Sequence, residues 1–395
     1  MSKSLIFAVM AGLFSMHASL AQELRIGLLN TTTGGGAVIG KHVENGWKLG
    51  LAHQGWEKDG DKLGGVPTRI FYGDDQAKTD VALREVEKML KSDKVHIVAG
   101  IIWSNVMMTV ARPVLEAKVV LLGTNAGPSP LAGEECSPLF ISTSWQNDDG
   151  HQAGGALMQN DGIKSIVVMV PNYQAGKDAI AGMSRFYKGK ILDQIFYKLG
   201  ETDFQADLSK IRAIKPEAVY LLAPGAMGIS FMKQWASAGL NKEVKLYSGF
   251  TIDYSTLPAI GDAAVGSVHA QMWDPQSTSP ANQRFVKDYL AKFGGMPSDF
   301  ALQAYDAPGL IAAGVKAVGG KVDDAAALVL AMRKNGLMSV RGNVRYNVNG
   351  FPIQPFYKRT VVAGSSGQPL IVGGEKILEQ KDFYWERCPV DKRAG

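Results

Sequence analysis

From Leu24 onward the chain alternates short, wholly apolar runs with longer stretches in which apolar residues recur every three or four positions. The first half reads as runs at 24–29, 68–71, 95–100 and 119–122, separated by periodic stretches at 42–54, 79–91 and 106–116. Within 79–91, Ala82, Val86, Met89 and Leu90 fall on one helical face while Arg84, Glu85, Glu87, Lys88 and Lys91 fill the other, which predicts a helix packed by one side on a sheet. Strands apolar throughout and separated by such helices predict a parallel sheet covered on both faces, because a parallel return needs a crossover segment.

After 140–142 the pattern restarts, with strands predicted at 165–170, 191–197, 218–222 and 244–247 and helices at 176–186, 204–214 and 228–238. From about Trp273 the text is helix-rich (281–293, 300–318, 323–335) and closes on strand-like 343–347 and 355–362. That section has too few strands for a domain of its own. It is expected to complete the two earlier lobes, so that the chain crosses between them more than once. The fold class is α/β, two doubly wound lobes.

Composition narrows the function. The chain has 395 residues, 46% hydrophobic and 20% charged, and its net charge of +5 is scattered without a run of like charges, so nucleic acid is not an expected partner. Residues 1–21 carry Lys3, an apolar run at 5–13 and the small residues Ala18-Ser19-Leu20-Ala21, the build of a secretory signal peptide cleaved after Ala21. No later stretch reaches the ~18–20 apolar residues of a membrane span. In an oxidising compartment the only two cysteines, Cys136 and Cys388, are expected to form a disulfide.

Signs of catalysis are sparse. Residues 35–41 match the first seven positions of a phosphate-binding loop, but His42 stands where a magnesium-binding Ser or Thr belongs. The six histidines show no metal-type pairing, there is no GxSxG elbow, and neither cysteine has a neighbouring His. No cofactor or metal is expected, and weight moves from catalysis to binding. The glycine-rich 31–36, which follows the first strand, is expected to bring backbone N–H groups near a ligand, since open α/β sheets bind at the carboxyl ends of their strands. Three further loops stand at the same kind of edge. Trp103-Ser104-Asn105 and Asn125-Ala126-Gly127 place small polar residues and free N–H groups where a helix begins, a ready anion site, though Ser104 also reads as an N-cap and 125–127 as an ordinary turn. Tyr173, in Pro171-Asn172-Tyr173-Gln174, offers a ring at the same edge of the second lobe, or is a surface tyrosine.

With a signal peptide in front, "LRIGLLNTTTGGGAVIGKHVENGWKLG", "FYGDDQAKTDVALREVEKML", "NAGPSPLAG", "PNYQAGKDAIAGMSRF", "TDFQADLSKIRAIKPEAVYLL" and "AIGDAAVGSVHAQMWDP", in this order, resemble the leucine/isoleucine/valine-type branch of periplasmic substrate-binding proteins. The resemblance implies a type I binding-protein fold, two Rossmann-like lobes joined by a three-crossover hinge near Ser142, Met272 and Asn347. Residues 22–142 with 273–347 would form lobe 1, and 143–272 with 348–395 lobe 2. It further implies a monomeric periplasmic protein that closes on a solute and delivers it to the permease subunits of an ABC importer.

The chain departs from its amino acid-binding relatives in ways that bear on the ligand. Those relatives hold the ligand ammonium with a carboxylate in the loop after the strand at 244–247; here the loop reads Ser248-Gly249-Phe250-Thr251-Ile252, and the nearest acid is Asp253. An unpaired cation in a closed cleft would cost several kcal/mol. Ile39 stands where a tyrosine is common, and Trp103, Phe250 and Trp273 add ring surface, unless the two tryptophans are core. The "NAGPS" and "PNYQAG" loops resemble the sub-branch that takes up aromatic acids. The expected ligand is a small aromatic carboxylate of the benzoate or phenylpropenoate kind, held by Ser104 and 125–127 and rimmed by Trp103, Tyr173, Phe250 and Trp273. A branched-chain amino acid, an amide or urea, a sensor role and a secreted enzyme with an unfamiliar site remain the alternatives.

Overall fold

The computed structural model describes residues 22–364 and 367–393; the signal-peptide reading of 1–21 lies outside the described residues. Two sheets organise the chain. The first has strand order Lys62–Leu63, Val66–Asp74, Leu24–Asn30, Ile97–Gly100, Val120–Gly123, Phe140–Ser142, parallel except for the first pair. The second places Ser165–Pro171, Ala218–Leu221, Lys245–Ser248 and Val268–Gln271 in parallel, with Lys190–Tyr197 at one side and the antiparallel Pro355–Val362 and Leu370–Val372 at the other.

The apolar periodicity translates directly into packing. Helix Thr79–Lys91 buries Ala82, Val86 and Met89 as its pattern requires. The chain passes between the sheets three times. It leaves the first after Ser142, and after Gln271 it returns so that helices Pro280–Phe293 and Asp299–Ala317 pack on Ala37–His53. It then re-enters the second sheet at Pro355. The passing segments are bonded to one another: Ser142 N–H donates to Gly350 O, Gln354 Nε2 to Ser144 O, and Arg341 to both Thr143 O and Asp306. Cys136 and Cys388 form a disulfide that ties the C-terminal tail to the loop before Phe140.

The largest difference from the sequence pattern is the helix Asn147–Asn160, where neither strand nor helix is predicted. Its sequence, NDDGHQAGGALMQN, has weak helix propensity and little apolar periodicity. Tertiary packing makes it helical. A Cβ on Gly155 would come 2.2 Å from Met183 O, and one on Gly150 2.4 Å from the Phe250 ring, so the glycines let a neighbouring helix and a ring close on it from two sides.

Candidate ligand-binding cleft

The two sheets point the carboxyl ends of their strands at one another, and a cavity lies between them. One wall comes from the first lobe, with Ile39, Ile102, Trp103, Ser104, Asn125 and Ala126. Facing it are Asn147, His151, Tyr173, Ala175, Leu222 and Phe250, and Trp145, Pro224 and Phe300 complete the lining. The lobes meet around this space. Ser129 donates its N–H and hydroxyl to Asp178 at 3.2 and 2.7 Å, and Gly127 and Asn147 exchange two bonds, Gly127 N–H to Asn147 Oδ1 at 3.0 Å and Asn147 N–H to Gly127 O at 2.8 Å.

The polar edge is made mostly of donors, the exception being Asn125, whose amide nitrogen donates to Ile102 O and whose Oδ1 has no partner among the described residues. Helix Ser104–Glu116 has no side-chain cap, so its leading N–H groups are open, and the ends of Gln174–Phe186 and Ala226–Ser237 that border the cavity are likewise uncapped N-termini. Ser104 is oriented by Asn147. That amide is fixed at its oxygen by Gly127 N–H, and its nitrogen donates to Ser104 Oγ at 3.0 Å and to Asp178 at 2.8 Å. With its oxygen accepting, the Ser104 hydroxyl has its own proton to give. Helix N-termini and neutral donors together suit an anion. Among the described residues no Asp, Glu, Lys or Arg lines the cavity. Asp178, behind Asn147, has its carboxylate engaged by Ser129, Asn147 and Gln174.

The rest of the cavity is apolar, aliphatic at Ile39, Ile102, Leu222 and Pro224 and otherwise mostly ring surface. Phe250 stacks on Trp145 with centroids 4.1 Å apart and 21° between planes, and meets His151 edge-on at 5.3 Å. Phe250 has φ of 55°, the left-handed region, and that turn is what sends its ring back under helix Asn147–Asn160. Trp103 and Tyr173 face each other across the lobes at 6.5 Å. The Trp103 indole N–H is already given to Thr31 Oγ1 at 3.0 Å, so this residue supplies a wall and no free donor.

A family model described as periplasmic binding protein matches residues 23–367. The chain belongs to the periplasmic binding protein family. Among its relatives, Leu/Ile/Val-binding protein homolog 6 of Brucella melitensis is 25% identical over 378 residues, 93% of this chain and 95% of that one. A solved solute-binding protein of an ABC transporter from R. palustris, in complex with benzoate, is 29% identical with a TM-score of 0.85, covering 92% of this chain and 99% of its own. Another, from Rhodopseudomonas palustris BisB5 in complex with 3,4-dihydroxybenzoic acid, is also 29% identical, with a TM-score of 0.82 over 91% and 97%.

In this binding protein the structure brings Trp103, Ser104, Asn125, Ala126, Tyr173 and Phe250 to one cavity. Trp273 is elsewhere: its indole N–H donates to Asn282 at 2.8 Å and its ring packs on Phe285, in the core beside the second crossing. Gly127 sits behind the lining, and the backbone N–H groups of 126 and 127 go to Ile101 O and Asn147 Oδ1, which leaves the anion edge to Ser104 and its helix. The glycine run also differs from expectation. Thr32 N–H and the Thr33 hydroxyl are answered by the Asp74 carboxylate, Lys41 is exposed, and only Ile39 from this region reaches the cavity. Asp253, the nearest acid to the Phe250 loop, accepts from Ser255 and lies outside the cavity; burial raises its pKa to about 6.

Sequence reasoning missed Asn147, His151 and Trp145. The signal was available in part, since Asn147 opens a helix on the second lobe just as Ser104 does on the first. That helix was hidden by its glycines.

Proposed function

We propose that the mature chain is the solute-binding component of an ABC importer, capturing a small aromatic carboxylate in the periplasm and releasing it unchanged to membrane permease subunits. One observation carries this reading: a cavity lined by rings and aliphatic side chains has hydrogen-bond donors along one edge and, among the described residues, no acidic side chain in its lining. A carboxylate satisfies those donors, a flat ring would lie against Trp103, Tyr173 and Phe250, and an amino acid's ammonium would have no counter-charge. Support also comes from the similar solved proteins that hold benzoate and 3,4-dihydroxybenzoic acid. Export with loss of 1–21 puts the protein where an importer's binding component works, and the three passing segments provide the hinge on which lobes 22–142 with 273–347 and 143–272 with 348–395 would close.

Titration calorimetry with benzoate, methyl benzoate and leucine tests it. Benzoate is expected to bind, the ester to lose most of that affinity because it keeps the ring and loses the charge, and leucine to fail. Leucine binding in preference to every aromatic acid, or an ester as tight as the acid, would overturn the assignment.

A further inference from the structure

The cavity has a second polar pole that Ser104 does not serve. His151 follows Asn147 by four residues on helix Asn147–Asn160, so both side chains stand on one face, one turn apart. His151 is buried, with 1% of its surface accessible, its ring lies edge-on to Phe250, and its Nδ1 is 2.7 Å from the Tyr220 hydroxyl. Among the described residues that hydroxyl has no other acceptor for its proton, so donation from Tyr220 to Nδ1 is the arrangement that leaves no phenol proton buried and unpaired. The remaining ring proton then sits on Nε2. No protein group among the described residues bonds this nitrogen, and, unlike the sealed Nε2 of His269, it is open to the cavity.

Burial lowers the His151 pKa to about 3, so the imidazole is neutral at physiological pH and cannot serve as the counter-charge for a carboxylate. It is a neutral donor in a nearly dry, ring-lined space. Left unmatched, such a group keeps its desolvation cost.

We infer that His151, held by Tyr220, receives a hydroxyl group on the ring of the bound acid, at the end remote from Ser104, which makes the preferred ligands hydroxylated aromatic carboxylates. The helical rise of about 6 Å between the Asn147 and His151 levels is on the scale of a benzene ring with substituents at its two ends. A hydroxyl both donates and accepts, so it pairs with either tautomer of the imidazole, whereas a ring hydrogen or methyl group pairs with neither. This rests on the reading of the cleft as an aromatic-acid site and adds the part of the ligand that the anion edge does not see.

Calorimetry on the mature protein with benzoate, 4-methylbenzoate and 4-hydroxybenzoate, repeated on His151→Phe and Tyr220→Phe, tests it. The wild type is expected to favour 4-hydroxybenzoate over both others by about tenfold, the worth of one hydrogen bond. His151→Phe should erase that preference, 4-hydroxybenzoate binding no better than benzoate to the same variant, and Tyr220→Phe should weaken it. If His151→Phe does not fold, the wild-type comparison of the methyl and hydroxyl acids, which differ little in size, decides alone. Benzoate binding without any preference for the hydroxyl, or a preference that survives in His151→Phe, overturns this assignment and leaves the aromatic-acid reading standing. Leucine binding with no aromatic acid bound overturns both.

Discussion

Asn147 Nδ2 donates to Ser104 Oγ at 3.0 Å across the cleft, so a residue of one lobe sets the donor direction of a residue in the other. The carboxylate edge is therefore complete only where the lobes meet. On the proposed reading binding and closure would be one event, since a ligand touching both walls favours the conformation in which Asn147 reaches Ser104.

Ser104→Ala should weaken benzoate binding by about 1.5–3 kcal/mol, the range for a hydrogen bond to a charged group, with little change in thermal stability. Asn147→Leu should lower both affinity and stability, because Gly127 N–H and Asp178 lose a partner in the interior. Calorimetry and thermal unfolding separate the two; equal effects on stability would contradict the division of roles.

Gly150→Ala places a methyl group where the Phe250 ring now lies, 2.4 Å from its Cζ. Overpacking of this kind costs about 1–3 kcal/mol, and the ring's free direction is into the cavity. Aromatic-acid affinity should fall by at least about tenfold as the cavity shrinks. Unchanged calorimetric affinity would show that the ring yields elsewhere.

Asp178 accepts from Ser129 on the opposite lobe as well as from Asn147 and Gln174. Small-angle scattering should show the radius of gyration of the wild type fall on saturation with ligand, and Asp178→Ala should need more ligand for the same fall. A variant as readily closed as wild type would remove Asp178 from the closing contacts.

Asp299 should contribute a fall in stability as pH rises from about 4 towards 8. Burial, and then repulsion from Asp253, raise the Asp299 pKa to about 8 against about 3.9 for an unfolded Asp. Between these values the folded state holds a proton that the unfolded chain has released, so the unfolded-minus-native proton count is negative and the unfolding free energy declines with pH. Asp253, raised to about 6, acts in the same direction at lower pH. Unfolding of Asp299→Asn measured from pH 5 to 9 should lack this part of the decline; a parallel curve would place the titration elsewhere.

Replacing Cys136 and Cys388 together by Ser should lower stability by roughly 2–5 kcal/mol, since the bond closes a loop between residues 252 positions apart. Under denaturing, non-reducing conditions no thiol should label, and two should label after reduction. Two reactive thiols before reduction would exclude the bond.

What the sequence determined by itself is the layered architecture and one wall of the site. Apolar runs and 3.6-residue periodicity depend on local pattern alone, and they yield the alternating strands and helices, the helix at 79–91 and the loops that carry Ser104, Asn125 and Tyr173 at strand ends. The tertiary structure decided three things that no local pattern encodes. It placed Trp273 against Asn282 and Phe285, away from the cavity, because a tryptophan's burial looks the same in sequence whether it meets core or ligand. It used the N–H groups of 126 and 127 inside the protein, because their partners, Ile101 and Asn147, come from other segments. And it made a helix of the glycine-rich 147–160, bringing Asn147 and His151 into the cleft. That helix is held by the close approach of Met183 and Phe250, contacts between residues distant in the chain, and the free energy that forms it resides in packing, where the sequence of the segment shows only its glycines.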